Sequence, residues 1–274
     1  MTGTERACAN CDAPLSGPYC TRCGQQDRET EQALGPFLLE FLTGVVSFDS
    51  RVWRTVGPLL FKPGEVTAQY LEGRRARYVP PARLYLFVSL LYFLLLAWLS
   101  PGPILELGAG VESNGQRVAA EAEELLDRLP DAFAPLVPGL ARAAADPAGF
   151  RRSVIQGIPY LMFLLVPFFG ALVHLLHRGR RRYYLSHLLF AVHFHVVVFL
   201  LLIVALVLER TGMALLDDAS ALIRLALPVH LFLSLRSVYG GRWWVVAVRT
   251  VALSLLYLMA LGVVLAWLVV FLLL

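Results

Sequence analysis

Lysine is almost absent from this 274-residue chain, where Lys62 is the single one, and charged residues of both signs make up only 16%. A soluble domain carries about 25% charged residues, so this surface is too poor in charge for a water-soluble monomer. No cysteine occurs after residue 23, which excludes a disulfide framework spread over a secreted domain. The first 30 residues hold no apolar run. No cleavable signal peptide is therefore expected, and the N-terminal segment is expected to stay in a reducing cytosol. There is no G-x-S-x-G, no H-E-x-x-H, no phosphate-cradling glycine loop and no evident internal repeat. The usual sequence marks of serine hydrolases, zinc peptidases and P-loop NTPases are thus missing.

What is abundant is apolar sequence. Hydrophobic residues make up 58%, and the mean hydropathy is +0.65. Long apolar runs occur at about 82–100, 154–176, 185–208, 219–235 and 243–274. Crossing about 30 Å of hydrocarbon at about 1.5 Å per residue takes roughly 20 residues. The expected fold is an all-α integral membrane protein with five spans, the last of them over 248–272. Pro80-Pro81 and Pro101-Gly102-Pro103 bound the first run. The fourth run is the weakest, because it is short, holds Arg224 and His230, and is interrupted by Pro228. Trp243, Trp244 and Arg249 are expected near an interface, ahead of or at the start of the fifth span.

The scarce charge is segregated. Segments 74–83, 177–184 and 236–242 together hold ten arginines and no acid. Segment 101–153 holds five arginines and eight acids, and segment 209–219 one arginine and three acids. Cytosolic loops are enriched in Lys and Arg. All five spans then orient consistently, with the N-terminus in the cytosol and the C-terminus outside a bacterial inner membrane. The outer loop 101–153 contains one helix-forming stretch, Val118 to Leu129, broken up elsewhere by prolines. Segment 33–80 is apolar but does not span. Glu40, Thr43 and Ser47 mark a polar stripe in its first part. RVWRTVGPLLF follows, and then a piece opened by Pro63-Gly64-Glu65 and stopped at Gly73. These are expected to be interfacial amphipathic helices, forming a collar at the inner headgroup plane or against the bundle.

Residues 1–28 carry Cys8-Ala-Asn-Cys11 and Cys20-Thr-Arg-Cys23, the pattern C-x2-C-x8-C-x2-C. Each C-x2-C lets two thiolates reach one ion from a tight knuckle, and four thiolates close a tetrahedron with no open position. The expectation is a small ribbon holding structural zinc on Cys8, Cys11, Cys20 and Cys23. A rubredoxin-type iron centre and a redox dithiol are the competing readings. Arg6, Arg22 and Arg28 are balanced by Glu5, Asp12, Asp27, Glu29 and Glu31, so no nucleic-acid partner is expected.

Two further groups are candidates. Arg74, Arg75, Arg77 and Tyr78 ahead of the first span, with Arg180, Arg181 and Arg182 between the second and third, suit anionic lipid headgroups of the inner leaflet or a specific anion. The competing reading, and the simpler one, is that these arginines only set topology. Within the spans His193, His195, His230 and Arg249 are costly to bury and hence functional suspects. Hydrogen bonding between packed helices, a proton or substrate path with Gln156, and haem ligation compete for them. His193 and His195 lie about 200° apart on a helix, so they cannot line one pore. His174 and His177 fall at the inner end of the second span. Pro159 and Pro167 within that span suit a kink.

CANCDAPLSGPYCTRCGQ, followed by LLFKPGEV, QYLEGRR and Arg77-Tyr78-Val79-Pro80, resembles a bacterial membrane family known as domain of unknown function 3667. LLFAVHFHVVVF, HLFLSLRSVYGG and the final helix are similar to it as well, so the resemblance covers most of the chain except 101–153. It implies a zinc-ribbon membrane protein and brings no catalytic residues. The expected function is a scaffold, sensor or partner-recruiting module that reaches a cytosolic protein through the ribbon. The alternatives are a transporter or channel component built on the intramembrane His and Arg residues, and then a membrane enzyme or haem protein.

Overall fold

The computed structural model describes residues 6–27, 51–99, 135–179, 183–211 and 213–274. The polar-striped stretch 33–48, the helix expected at Val118 to Leu129, and Arg180, Arg181 and Arg182 lie outside these residues. Eight helices are described: α1 Arg51–Phe61, α2 Glu65–Leu71, α3 Pro81–Leu99, α4 Val137–Ala145, α5 Pro147–Leu176, α6 Tyr184–Glu209, α7 Ala214–Tyr239 and α8 Trp243–Leu273. Among the described residues there is no strand, only the isolated bridges Ala7 to Pro14 and Tyr19 to Gln26. The fold is all-α, as the apolar runs indicate.

Among the described residues, five helices are long and apolar enough to cross a membrane: Pro81–Leu99, Arg152–Leu176, Tyr184–Glu209, Asp218–Tyr239 and Trp243–Leu273. The fourth is not interrupted at Pro228. The helix runs through that proline and continues to Tyr239. Its arginine is also neutralised locally. Arg224 pairs with Glu209 at the end of α6, and the Ser220 hydroxyl donates to the same carboxylate at 2.9 Å. A charge so paired is far cheaper in an apolar setting than a bare one.

The chain divides into two compact units, residues 1–96 with 166–255 and residues 97–165 with 256–274. In the first unit α6 packs along α7, and the short helices α1 and α2 rest on the same pair. α3 meets α6 through an aromatic cluster, in which Tyr85, Tyr92 and Phe93 surround Phe199 at centroid distances of 5.4–5.9 Å. α1 turns Thr55 and Leu59 inward, while Trp53 and Phe61, on the opposite face, are 81% and 84% exposed. In the second unit Leu161, Leu165 and Leu268 form a small core, with Val154, Met162, Tyr257 and Leu261 around it.

Candidate metal centre

Residues 6–27 build two copies of one local structure, twelve residues apart. In the first knuckle the Asp12 amide donates to the Cys8 carbonyl at 2.9 Å, and the Cys8 amide donates to the Ala13 carbonyl at 2.8 Å. In the second, Gly24 donates to Cys20 and Cys20 to Gln25, both at 2.8 Å. The outer bonds match too, Leu15 to Arg6 at 2.7 Å and Asp27 to Pro18 at 2.9 Å. The residue after each second cysteine turns left-handed, Asp12 at φ 58° and Gly24 at φ 72°. Glycine takes that conformation without strain, and aspartate is among the few others that enter it readily. The sequence shows no evident internal repeat, and this one is of backbone more than of side chains.

The repeat aims four thiols at one point. The Cys8, Cys11, Cys20 and Cys23 sulfurs all lie within 4.8 Å of one another. Cys8 Sγ is 3.6 Å from Cys23 Sγ, and Cys11 Sγ is 3.6 Å from Cys20 Sγ. Tetrahedral thiolates about 2.3 Å from an ion stand about 3.8 Å apart, so the set fits one metal ion closely. Among the described residues no other group of three or more His, Cys, Asp or Glu side chains meets this geometry. The thiols are not equivalent. Amide donors, the Cys23 N–H first, favour the Cys20 thiolate over its desolvation and pull its pKa down to about 6. The Ala13 amide favours the Cys11 thiolate, but desolvation and the three neighbouring sulfurs prevail and push it up to about 12.

Gln25, for which the sequence reading assigned no role, fastens this module to the rest of the chain. Its Nε2 donates to the Gly73 carbonyl at 2.7 Å, and its Oε1 accepts from the Arg75 and Ala76 amides at 3.1 and 3.0 Å. In the first knuckle the matching position is Ala13, a buried residue with no such reach. The signal that distinguishes Gln25 is therefore the mismatch between the two copies. Gly73, at φ +92°, leaves room for Ala9, whose Cβ would be only 3.0 Å from a Cβ built there. A cleft of about 180 Å³ runs along this junction, lined in part by Cys8, Gln25, Asp27, Glu72 and Arg75.

The segment Gly73 to Val79 is held from several other directions. The Arg74 amide donates to the Gln69 carbonyl at 3.0 Å, and the Val79 amide to Thr55 Oγ1 at 3.0 Å. The Tyr78 hydroxyl donates to Gln69 Oε1 at 2.7 Å, and the Arg51 guanidinium to the Ala76 carbonyl at 3.4 Å. Tyr78 is buried, Arg75 is half-buried, and Arg74 and Arg77 are exposed. Of the predicted anion-contacting residues the structure thus presents two outward and turns Tyr78 into the core.

The intramembrane polar residues do not all converge on one site. His193 faces α2, with its Nδ1 3.0 Å from the Thr67 hydroxyl and its ring edge-on to Tyr70. His195 donates through Nδ1 to its own helix, at the Ala191 carbonyl 2.8 Å away, and meets the Phe169 ring. His230 donates through Nε2 to the Leu59 carbonyl of α1 at 2.9 Å, leaving Nδ1 to accept from Ser234 at 3.3 Å. His193 and His230 do line one cavity, with Thr67 and Ser234, but it measures about 10 Å³. That is room for about one water molecule. Arg249 and His195 do not line it, and Gln156 is exposed. His187, also passed over in the sequence, is fully buried 2.9 Å from the Tyr239 hydroxyl, and the rings of His177 and Tyr239 stack at 4.5 Å.

These features define a class, an all-helical protein of multi-pass membrane architecture carrying a four-thiol cluster able to bind a metal ion. Within that class, residues 49–93 match the family described as Protein of unknown function (DUF3667), which supports the family already indicated by the sequence motifs. The matched stretch runs through α1, α2, the arginine turn and the first part of α3. No curated protein and no solved structure matches the chain.

Proposed function

We propose that the protein is a non-enzymatic membrane anchor for a cytosolic zinc module. Cys8, Cys11, Cys20 and Cys23 hold one structural zinc as thiolates. The five helices lie in a bacterial cytoplasmic membrane with the ribbon inside, and the exposed arginines rest on anionic headgroups of the inner leaflet. The ribbon recruits or senses a cytosolic protein partner. The carrying observation is the closed set of four sulfurs, all within 4.8 Å, on a module tied to the helical part by three hydrogen bonds of one glutamine. Four protein ligands leave no coordination position for substrate, so the ion would be structural. The individual hydrogen-bond partners of His193, His195 and His230, and the small size of the cavity that His193 and His230 share, favour this reading over a transporter, since a transport path needs polar groups along a continuous wet route.

The test is crosslinking and pull-down from cells with the intact protein and with Cys8→Ser, alongside the metal content of each. A partner captured only by the zinc-bearing protein supports recruitment. Identical partner sets for the two proteins defeat it.

A further inference from the structure

The segment joining α2 to the first span is held by backbone hydrogen bonds from several elements, the ribbon among them. Between Gly73 and Val79, the amides of residues 74, 75, 76, 78 and 79 and the carbonyls of 73, 75 and 76 are all hydrogen-bonded. One side chain of the ribbon, Gln25, supplies three of these contacts, at the centre of the turn. Gln25 is itself placed by the second knuckle. Its carbonyl accepts from the Cys20 amide, and it follows Gly24, which closes back on the Cys20 carbonyl. So short a module buries only Cys8, Ala13 and Cys20, too little to fold without its ion. The turn so held carries Arg74 and Arg77 exposed, and residues 51–83 hold seven basic side chains against two acidic ones.

We propose that the ribbon is a zinc-dependent clasp on an anionic-lipid binding surface. With zinc bound, Gln25 fixes the Gly73–Ala76 backbone in the one shape that presents Arg74 and Arg77 together. Without zinc the knuckle loses its form, Gln25 lets go, and the two arginines no longer act as a pair. The partner is the phosphate-bearing headgroup of an anionic bilayer lipid, such as phosphatidylglycerol. This rests on the proposed zinc site and extends it, making the ion a regulator of lipid contact through Gln25. The bilayer is the occupant because the turn leads directly into Pro81–Leu99, a helix long and apolar enough to enter it.

The full-length protein in nanodiscs tests the clasp. Amide exchange at Arg75 and Ala76 is measured with zinc, after chelation, and in Gln25→Ala. Binding of short-chain phosphatidylglycerol and phosphatidylcholine is measured in the same samples, with Arg74→Ala/Arg77→Ala as reference. Gln25→Ala should keep its zinc, yet exchange at Ala76 at least about tenfold faster, because that amide loses its acceptor, with a smaller rise at Arg75, which also donates to the Gly73 carbonyl. Chelation should do the same. Both should lose at least about two-thirds of the preference for phosphatidylglycerol, approaching the double-arginine variant. Zinc retained with unchanged exchange in Gln25→Ala overturns the clasp and leaves the zinc site standing. Faster exchange with an unchanged lipid preference also overturns it. A wild-type protein that takes up no zinc overturns the zinc site itself.

Discussion

Replacing Gly64 with alanine should undock α2 from α7. Gly64 caps α2 in the left-handed region, at φ 81° and ψ −13°. A Cβ there would sit 2.7 Å from Ser237 Cβ and 2.8 Å from the Ser234 carbonyl oxygen. The left-handed conformation costs a non-glycine residue about 1–2 kcal/mol. Overpacking against a neighbour that cannot yield adds about 1–3 kcal/mol, and a backbone carbonyl inside a helix yields little. The sum, about 2–5 kcal/mol, corresponds to roughly 30-fold or more in the opening equilibrium of α2. Amide exchange of residues 65–71 in nanodisc-embedded protein reads it directly. Gly57→Ala is the internal control. Nothing lies within 4 Å of a Cβ at Gly57, and the position is inside α1. Alanine should therefore stabilise that helix by about 0.5–1 kcal/mol. Ser237→Gly in the Gly64→Ala background should rescue only in part, because the Ser234 carbonyl remains. Wild-type exchange in Gly64→Ala would refute the docking.

Other consequences can be checked separately. Thr67→Val removes the hydroxyl from buried His193 and should cost about 1–3 kcal/mol in thermal unfolding, whereas Thr67→Ser should cost little. Zinc affinity should rise with pH. Cys11, pushed up to about 12, must release its proton to become a ligand, so chelator competition should show at least about tenfold weaker binding at pH 6.5 than at 7.5. An affinity independent of pH would contradict four-thiolate ligation. The proposed orientation predicts that a membrane-impermeant thiol reagent labels Thr211→Cys in intact cells, and Arg178→Cys only after permeabilisation.

The helical skeleton was readable because lipid-spanning length and hydrophobicity are properties of each segment alone. The four thiols were readable for a similar reason, since a knuckle is a local structure and the whole pattern is written in the sixteen consecutive residues from Cys8 to Cys23. What escaped was long-range. Gln25 meets Gly73 and Ala76 across about fifty residues, and nothing local in Cys-Gly-Gln marks that contact. Leu59 offers His230 a backbone carbonyl, which no side-chain pattern can show. Pro228 misled as a break, because a proline within a long apolar helix costs a local bond without ending the helix when neighbours support it. Arg224 was a mark against the fourth span until Glu209, fifteen residues earlier, proved to be its partner.

In the proposed reading the four cysteines together hold one zinc ion. X-ray absorption at the zinc edge, on metal-quantified full-length protein, tests it most directly. The expected result is one zinc per chain, coordinated by four sulfurs at about 2.3 Å, and its loss in Cys20→Ser while the protein remains in the membrane. Iron at the site, nitrogen or oxygen in the first coordination sphere, or one zinc retained by Cys20→Ser would contradict it.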